Sequence, residues 1–258
     1  MVKGLYTAYT GMLNEQHRMD VLTNNLANAD TNGFKKEGAT SQAFDAILAY
    51  KIKDSSENTR LARRLGVNHP GVKIGEGYTD FSQGPIKSTG NTFDLALTDA
   101  GFFAVEFTSK SGETSIKYTR DGDFTLTEDG RLVTRDGDPV LDENGSYIEI
   151  NQLLPTEINS SGQIIQDGNV VATIQVTDFE NYDYLERYGE NYFQPIEGAE
   201  EKEAAAEVRS GYLETSNISV VTEMVNMITV SRAYESNQKV ITTYDSTLEI
   251  AANQLGRI

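Results

Sequence analysis

The chain has 258 residues, no cysteine, two histidines and a formal net charge of −17. These features exclude disulfides and thiolate metal sites, leave too few histidines for a multi-histidine metal centre, and describe a surface that repels nucleic acid and anionic membranes. The length can bury a core without metal or disulfide help.

The charge is unevenly spread. Residues 1–36 hold four basic and three acidic side chains, and residues 210–258 hold three basic and five acidic, which leaves −16 for residues 37–209. Near-neutral ends can pack densely side by side, whereas an acidic middle keeps the body in solution. Arg60, Arg63 and Arg64 interrupt that middle with no aromatic residue among them, and so read as a solvated loop face. No stretch approaches the roughly 18 uncharged apolar residues of a membrane span. His17, Arg18 and Asp20 break what would be the apolar region of a secretory signal. The expected location is the cytoplasm, or outside it by a route that cleaves no signal.

The pattern predicts a helix over residues 2–30, with Leu5, Tyr9, Met12, Met19, Leu22 and Leu26 on one stripe. It runs into an Asn-, Asp- and Gly-rich stretch, Asn24 to Gly33, which ends helices because these residues tolerate left-handed backbone and compete for its hydrogen bonds. Ala43 to Ile52 reads as a second helix or an extended arm, and residues 53–75 as a loop. From Tyr78 to Pro195 the chain reads as strands. Asp121-Gly122, Asp129-Gly130, Asp136-Gly137 and Asn144-Gly145 carry glycines 8, 7 and 8 residues apart, the signal of a meander with tight hairpin turns. Val170 to Thr177 alternates as a strand, and the Ala/Glu-rich residues 197–208 read as a solvated linker or short surface helix. A last long helix begins after Ser219, with Glu223 in its first turn and no Gly or Pro before Gly256.

Both ends carry seven-residue apolar rows: Leu5, Met12, Met19 and Leu26, then Val220, Met227, Tyr234, Ile241, Leu248 and Leu255. Such a row marks a helix that docks along another helix. A straight helix drifts about 20° per heptad, so the longer row turns by about 100° and meets several neighbours in succession. These ten residues are the expected subunit contacts.

Nothing in the sequence presents a catalytic, cofactor or metal site. Asp121, Asp123, Asp136, Asp138 and Asp142 read as turn formers, because no stretch matches a calcium-binding loop. G-x-S-x-G, P-loop and G-x-G-x-x-G motifs are absent from the sequence.

Asn25-Leu26-Ala27-Asn28-Ala29-Asp30-Thr31-Asn32-Gly33-Phe34-Lys35 resembles the N-terminal signature of the bacterial flagellar rod and hook proteins. Within it Asn25, Leu26, Ala27, Asn28, Thr31, Gly33, Phe34 and Lys35 are the motif positions. Gly211 to Asn217, Glu223 to Ile228, Arg232 to Glu235, Gly101 to Val105, Tyr118 to Phe124 and Gly130 to Thr134 resemble later segments of that family in the same order. The resemblance implies an α+β subunit. Its long N- and C-terminal helices would pack as a coiled-coil-like hairpin around which a central antiparallel β-rich domain is hung. The expected divisions are 1–36, an arm at 37–76, an outer β-domain at 77–209, and 210–258. It implies a structural, non-enzymatic role without cofactors: helical self-assembly into the hollow rod, the drive shaft between motor and hook, with closest likeness to the distal part. Partners would be copies of itself, proximal rod proteins, the hook protein, the flagellar type III export apparatus, and P- and L-ring proteins where an outer membrane exists. A similar-sized proximal rod paralogue is the alternative. A β-domain adhesin with a coiled-coil stalk and a carboxylate-dependent hydrolase are the rivals outside the family.

Overall fold

The computed structural model of the protein describes residues 2–44, 47–51, 63–68, 71–110 and 112–255. The fold is α+β, with two compact units. The first comprises Met1–Leu26, Glu37–Thr79 and Val220–Ile258, and the second Ala27–Lys36 and Asp80–Ser219. One division coincides with the expected cut at 36/37, another separates residues 27–36 from the helix before them, and the last falls ten residues after the expected cut at 209/210.

In the first unit, α1 spans Val2–Ala27 and α2 spans Val220–Ile250, the latter extended by a π-helical turn, Ala251–Leu255. α2 starts immediately after Ser219, as its sequence predicts. Small residues bring the helices together. A Cβ added at Gly4 would overlap the Tyr244 ring, and one at Gly11 would lie 3.0 Å from Asn237 Nδ2. Seven residues forward on α1 correspond to seven back on α2, so the helices run antiparallel at these contacts. Ala8, between the two glycines, is buried. The expected stripe is shifted in one respect: Tyr9 faces outward.

Strands β1 (Glu37–Ala43), β2 (Ile47–Lys51), β3 (Arg63–Asn68) and β4 (Val72–Thr79) complete this unit. β1 pairs antiparallel with β4, and β2 with β3. The helix alternative for Ala43 to Ile52 and the loop reading of 53–75 are therefore corrected wherever residues are described; Ile52 to Ala62 lie outside them. β4 is largely exposed, so it carries no alternating burial from which a strand could be read. The arm lies on α1: Asn14 Nδ2 donates to Ser41 Oγ at 3.0 Å, and a Cβ at Gly71 would overlap Thr10 Oγ1.

The second unit is built from short strands. In chain order they are β5 (Ile86–Ser88), β6 (Leu95–Leu97), β7 (Phe102–Thr108), β8 (Thr114–Thr119), β9 (Phe124–Leu126), β10 (Leu132–Thr134), β11 (Thr156–Ile158) and β12 (Gln163–Gln166). There follow β13 (Asn169–Thr173), β14 (Val176–Phe179), β15 (Leu185–Tyr188), β16 (Tyr192–Pro195), β17 (Glu201–Glu203), β18 (Val208–Ser210) and β19 (Tyr212–Glu214). Six strands form one sheet in the order β15-β16-β8-β7-β14-β17, and β11-β12-β13 form another. The central strand β7 is buried on both faces. Phe103 and Val105 enter a core with Leu95, Leu97, Phe124, Leu132, Val140 and Ile174, whereas Phe102 and Ala104 enter a second with Tyr118, Leu141, Phe179 and Phe193. That is why this strand reads as a continuous apolar run instead of an alternation.

Three expectations change here. The alternation from Val170 to Thr177 is divided between β13 and β14. The Ala/Glu-rich segment contains no helix: Glu201–Glu203 form an exposed edge strand on β14, where charged side chains deter further strand addition. Of the four turn signals, Gly130, Gly137 and Gly145 take positive φ, but Gly122 does not. Gly122 is required by proximity, because an added Cβ would overlap the carbonyl oxygen of Leu95, and the Leu95 amide donates to the Gly122 carbonyl at 2.9 Å. Gly122→Ala is expected to lower unfolding stability by about 1–3 kcal/mol through overpacking against backbone, measured by denaturant titration of the full chain. An unchanged midpoint would show that the two strands separate at no cost.

Candidate functional site

The family-like segments of the two ends meet in a buried junction inside the second unit. Glu214, 1% exposed, lies at its centre. Its Oε1 accepts from Lys35 Nζ at 2.6 Å and from the Gly84 amide at 2.8 Å; its Oε2 accepts from Arg120 Nη1 at 3.2 Å. Lys35 Nζ also donates to the Ser82 carbonyl at 2.8 Å. Burial pushes the Lys35 ammonium below the ordinary lysine range, against the opposing pull of Glu214. Residues 35 and 214 are thus held together by a charge pair taken out of water, with Arg120 from the middle of the chain as its third member.

Backbone geometry surrounds this cluster. Gly33 takes φ of +67°, and its amide donates to the Glu214 carbonyl at 2.8 Å. A Cβ at Gly33 would overlap the backbone of Arg120 and Asp121. Only glycine satisfies both demands. The Lys36 amide donates to Asn217 Oδ1 at 2.8 Å, while Asn217 Nδ2 donates to the Asp80 carbonyl at 2.8 Å. Phe34 is buried beneath Arg187, whose guanidinium lies 4.1 Å from the ring centroid and donates to the Lys35 carbonyl. Asn191 Nδ2 donates to the Asn32 carbonyl at 3.3 Å and to Asp121 Oδ2 at 3.2 Å.

The other motif residues hold the helix end. Thr31 donates to Asn28 through both its amide and its hydroxyl, each at 3.2 Å. In the first unit, Asn25 is fully buried. Its amide donates to the Glu37 carbonyl at 2.8 Å and its oxygen accepts from the Glu37 amide at 2.9 Å. Leu26 is half-buried and Ala27 exposed.

The predicted rows have mixed environments. Leu5, Met12, Met19 and Leu26 on α1 are half-buried, as are Met227, Tyr234 and Ile241 on α2. Val220 and Leu248 are exposed. The side chain of Leu255 lies outside the described residues. Of the aspartates, Asp121 accepts from the nearby Asp123 amide, whereas Asp142 accepts from the Thr173 amide and Asp138 from the Tyr192 hydroxyl, both far along the chain. Among the described residues no group of three His, Asp or Glu side chains is placed to hold a metal ion. No described helix is long and apolar enough to cross a membrane.

Lys35→Met is expected to destabilise the second unit by about 3–5 kcal/mol, because removal of one member leaves Glu214 buried with a lost partner. Lys35→Met with Glu214→Leu is expected to recover part of that loss in denaturant titrations. Additive losses in the double variant would show that the two side chains act independently.

Asp121 gives a pH-dependent expectation. Burial pushes its carboxyl from 3.8 up to about 6, partly opposed by the Asp123 amide. Between these values the native state holds a proton that the unfolded chain has lost. The group's favourable contribution is therefore complete below pH 3.8 and is lost as pH rises through about 6. The stability of Asp121→Asn relative to the unsubstituted chain is expected to rise over that window. A difference constant from pH 4 to pH 7, measured at matched ionic strength, would contradict this assignment.

Three family models match separate parts of the chain. Residues 5–35 match the family described as "Flagella basal body rod protein", residues 96–172 the "Flagellar hook protein FlgE/F/G D1 domain", and residues 209–255 the "Flagellar basal body rod FlgEFG protein C-terminal" family. The chain is 34% identical to the flagellar basal-body rod protein FlgG of Borreliella burgdorferi, covering 98% of both chains. It is 34% identical to FlgG of Buchnera aphidicola subsp. Schizaphis graminum, covering 96% of this chain and 98% of that one. It is 33% identical to the rod protein FlgF of Caulobacter vibrioides over the full length of both. The three matched regions supply the junction's Lys35, Arg120 and Glu214, one from each, and this chain belongs to the flagellar basal-body rod and hook protein family.

Proposed function

We propose that the protein is a structural subunit of the flagellar basal-body rod, self-assembling helically into the hollow shaft between motor and hook, and that it occupies the distal part. The observation that carries this reading is full-length similarity to FlgG rod proteins, including the segments that meet at the junction. The terminal helices support it further. They are near-neutral ends of an acidic chain, and they leave Tyr6, Tyr9, Leu13, Val221, Val225 and Ile228 exposed. Apolar side chains at that density mark an interaction surface.

In this reading α1 and α2 form a coiled-coil-like hairpin that lines the shaft. The rows at Leu5, Met12, Met19 and Leu26, and at Val220, Met227, Tyr234, Ile241, Leu248 and Leu255, bury their remaining surface against neighbouring copies. The subunit catalyses no reaction and holds no cofactor or metal. It leaves the cell through the flagellar type III export apparatus without a cleaved signal. It then meets proximal rod proteins on one side and the hook protein on the other, with P- and L-ring proteins around it where an outer membrane is present. A second reading, a similar-sized proximal rod subunit, is favoured by the full-length match to FlgF.

The decisive experiment is purification of hook–basal bodies carrying a tagged subunit. The tag is expected in the rod on the hook-proximal side. A tag at the motor-proximal end would establish the second reading, and absence from the basal body would overturn both. Met227→Asp or Leu248→Asp is expected to abolish rod assembly and motility, because each places an unpaired charge in the wall. Hydrogen exchange in β7 should remain slow in both variants; normal motility would remove these rows from the interface.

A further inference from the structure

An asparagine side chain can react with the amide of the residue after it. Glycine in that second place favours the reaction, because it has no side chain to obstruct the attack and leaves the backbone free to turn. The chain holds two Asn-Gly pairs, Asn32-Gly33 and Asn144-Gly145. Their surroundings are opposite. Gly33 is buried, its amide donates to the Glu214 carbonyl at 2.8 Å, and an added Cβ would overlap the backbone of Arg120 and Asp121. The Asn32 carbonyl accepts from Asn191 Nδ2 at 3.3 Å. Asn144 and Gly145 are exposed, at the tip of the hairpin in which Leu141 bridges Tyr147. Nothing lies within 4 Å of a Cβ built on Gly145. The Gly145 amide donates to the Asp142 carbonyl at 2.7 Å, so this turn must open before its amide can react. Opening at an exposed tip costs far less than opening within a packed unit.

We propose that Asn144 is a spontaneous modification site, converting to aspartate and isoaspartate, while the fold protects Asn32. The Gly145 nitrogen attacks Asn144 Cγ. The new N–Cγ bond closes a succinimide, the Cγ–Nδ2 bond breaks, and ammonia leaves with the amide proton. Water then opens the ring. Attack at Cγ restores the ordinary backbone and leaves an aspartate. Attack at the backbone carbonyl carbon leaves an isoaspartate, whose backbone carries one more methylene. The net change is amide plus water to acid plus ammonia, with no other reactant. The reaction does not depend on the rod assignment.

The position gives this conversion a structural consequence. Asp142 is held between two donors: its Oδ2 accepts from Asn144 Nδ2 at 3.0 Å and its Oδ1 from the Thr173 amide at 2.8 Å. The Glu143 amide donates to the Thr173 carbonyl at 3.2 Å, and the Gln175 amide to the Leu141 carbonyl at 3.0 Å. The hairpin is thus tied to residues 173–175. Conversion removes the first donor to Asp142 and sets a second carboxylate beside it, where like charges repel. The extra methylene of isoaspartate also lengthens the turn that the Asp142 amide closes on the Ser146 carbonyl at 2.9 Å. Both products loosen the tie between Asp142 and Thr173.

Incubation of the full chain at mildly alkaline pH, followed by peptide mapping with mass spectrometry, reads the replacement of NH by O at each asparagine. In the folded chain Asn144 is expected to convert more than about tenfold faster than Asn32, and in the denaturant-unfolded chain at a comparable rate. Hydrogen exchange at the Thr173 amide is expected to accelerate several-fold in the converted fraction and in Asn144→Asp, with slow exchange in β7 retained. Asn144→Gln, whose ring would be one member larger, is expected to stay unconverted at that position. Equal rates at the two pairs in the folded chain would overturn the proposal. So would an Asn144 that stays intact in the folded chain over a period in which the unfolded chain converts. Unchanged exchange at Thr173 after full conversion would overturn the loosening.

Discussion

Glu214 is a carboxylate with almost no access to water, and the fold is arranged so that it does not need any. Lys35, Gly84 and Arg120 supply its hydrogen bonds from three distant parts of the sequence. Replacement of such a buried ion cluster by apolar side chains of matching volume is often neutral or stabilising in other proteins. Its value here is best understood as register. An apolar contact tolerates sliding by a residue, but a buried carboxylate with three donors does not. A shift of one residue on any of the three segments would strand a charge or an amide away from solvent.

That register extends outward from the cluster. The Gly33 amide, Lys36 amide and Asn217 side chain fasten the same two ends at further points. α1 ends at Ala27 and α2 begins at Val220, each within a few residues of these bonds. The chain therefore fixes where each terminal helix stops or starts, using a junction that forms only when both ends are present. β18 and β19, just ahead of α2, pair with β6 and β5 near the middle of the chain. Closure of the second unit thus waits for residues 208–217.

The parts of this architecture that follow from local chemistry were legible in the sequence. The two helices, the Asn-rich stop, and the turn glycines at 130, 137 and 145 each depend on residues close together in the chain. The junction was not legible, because its physical partners are 179 and 94 positions apart. Lys35, Arg120 and Glu214 all sat within segments singled out as family-like, yet each alone looks like a solvated charge. A lysine directly after a glycine–phenylalanine pair that must be buried was the available signal. Gly122 was misread because a glycine demanded by proximity and one demanded by φ look identical in sequence. The arm strand β4 escaped because backbone pairing with β1, not an alternating core face, holds it in place.

The distribution of burial between the two units also fits the way such a subunit would be used. The second unit holds two packed apolar cores and the charge cluster, so it is stable by its own contacts. The terminal helices bury few side chains fully, with Ala8 and Val230 as the apolar ones among the described residues. A helix pair with so thin a seam gains most of its stability from further packing on its outer faces. Those faces mix exposed apolar side chains with charged ones such as Asp20 and Arg232. Stability then rises with each neighbour added, and an end of a growing polymer is a better partner than a free monomer. In the rod reading, a subunit with this uneven burial gains the stability of its terminal helices from the neighbours it joins.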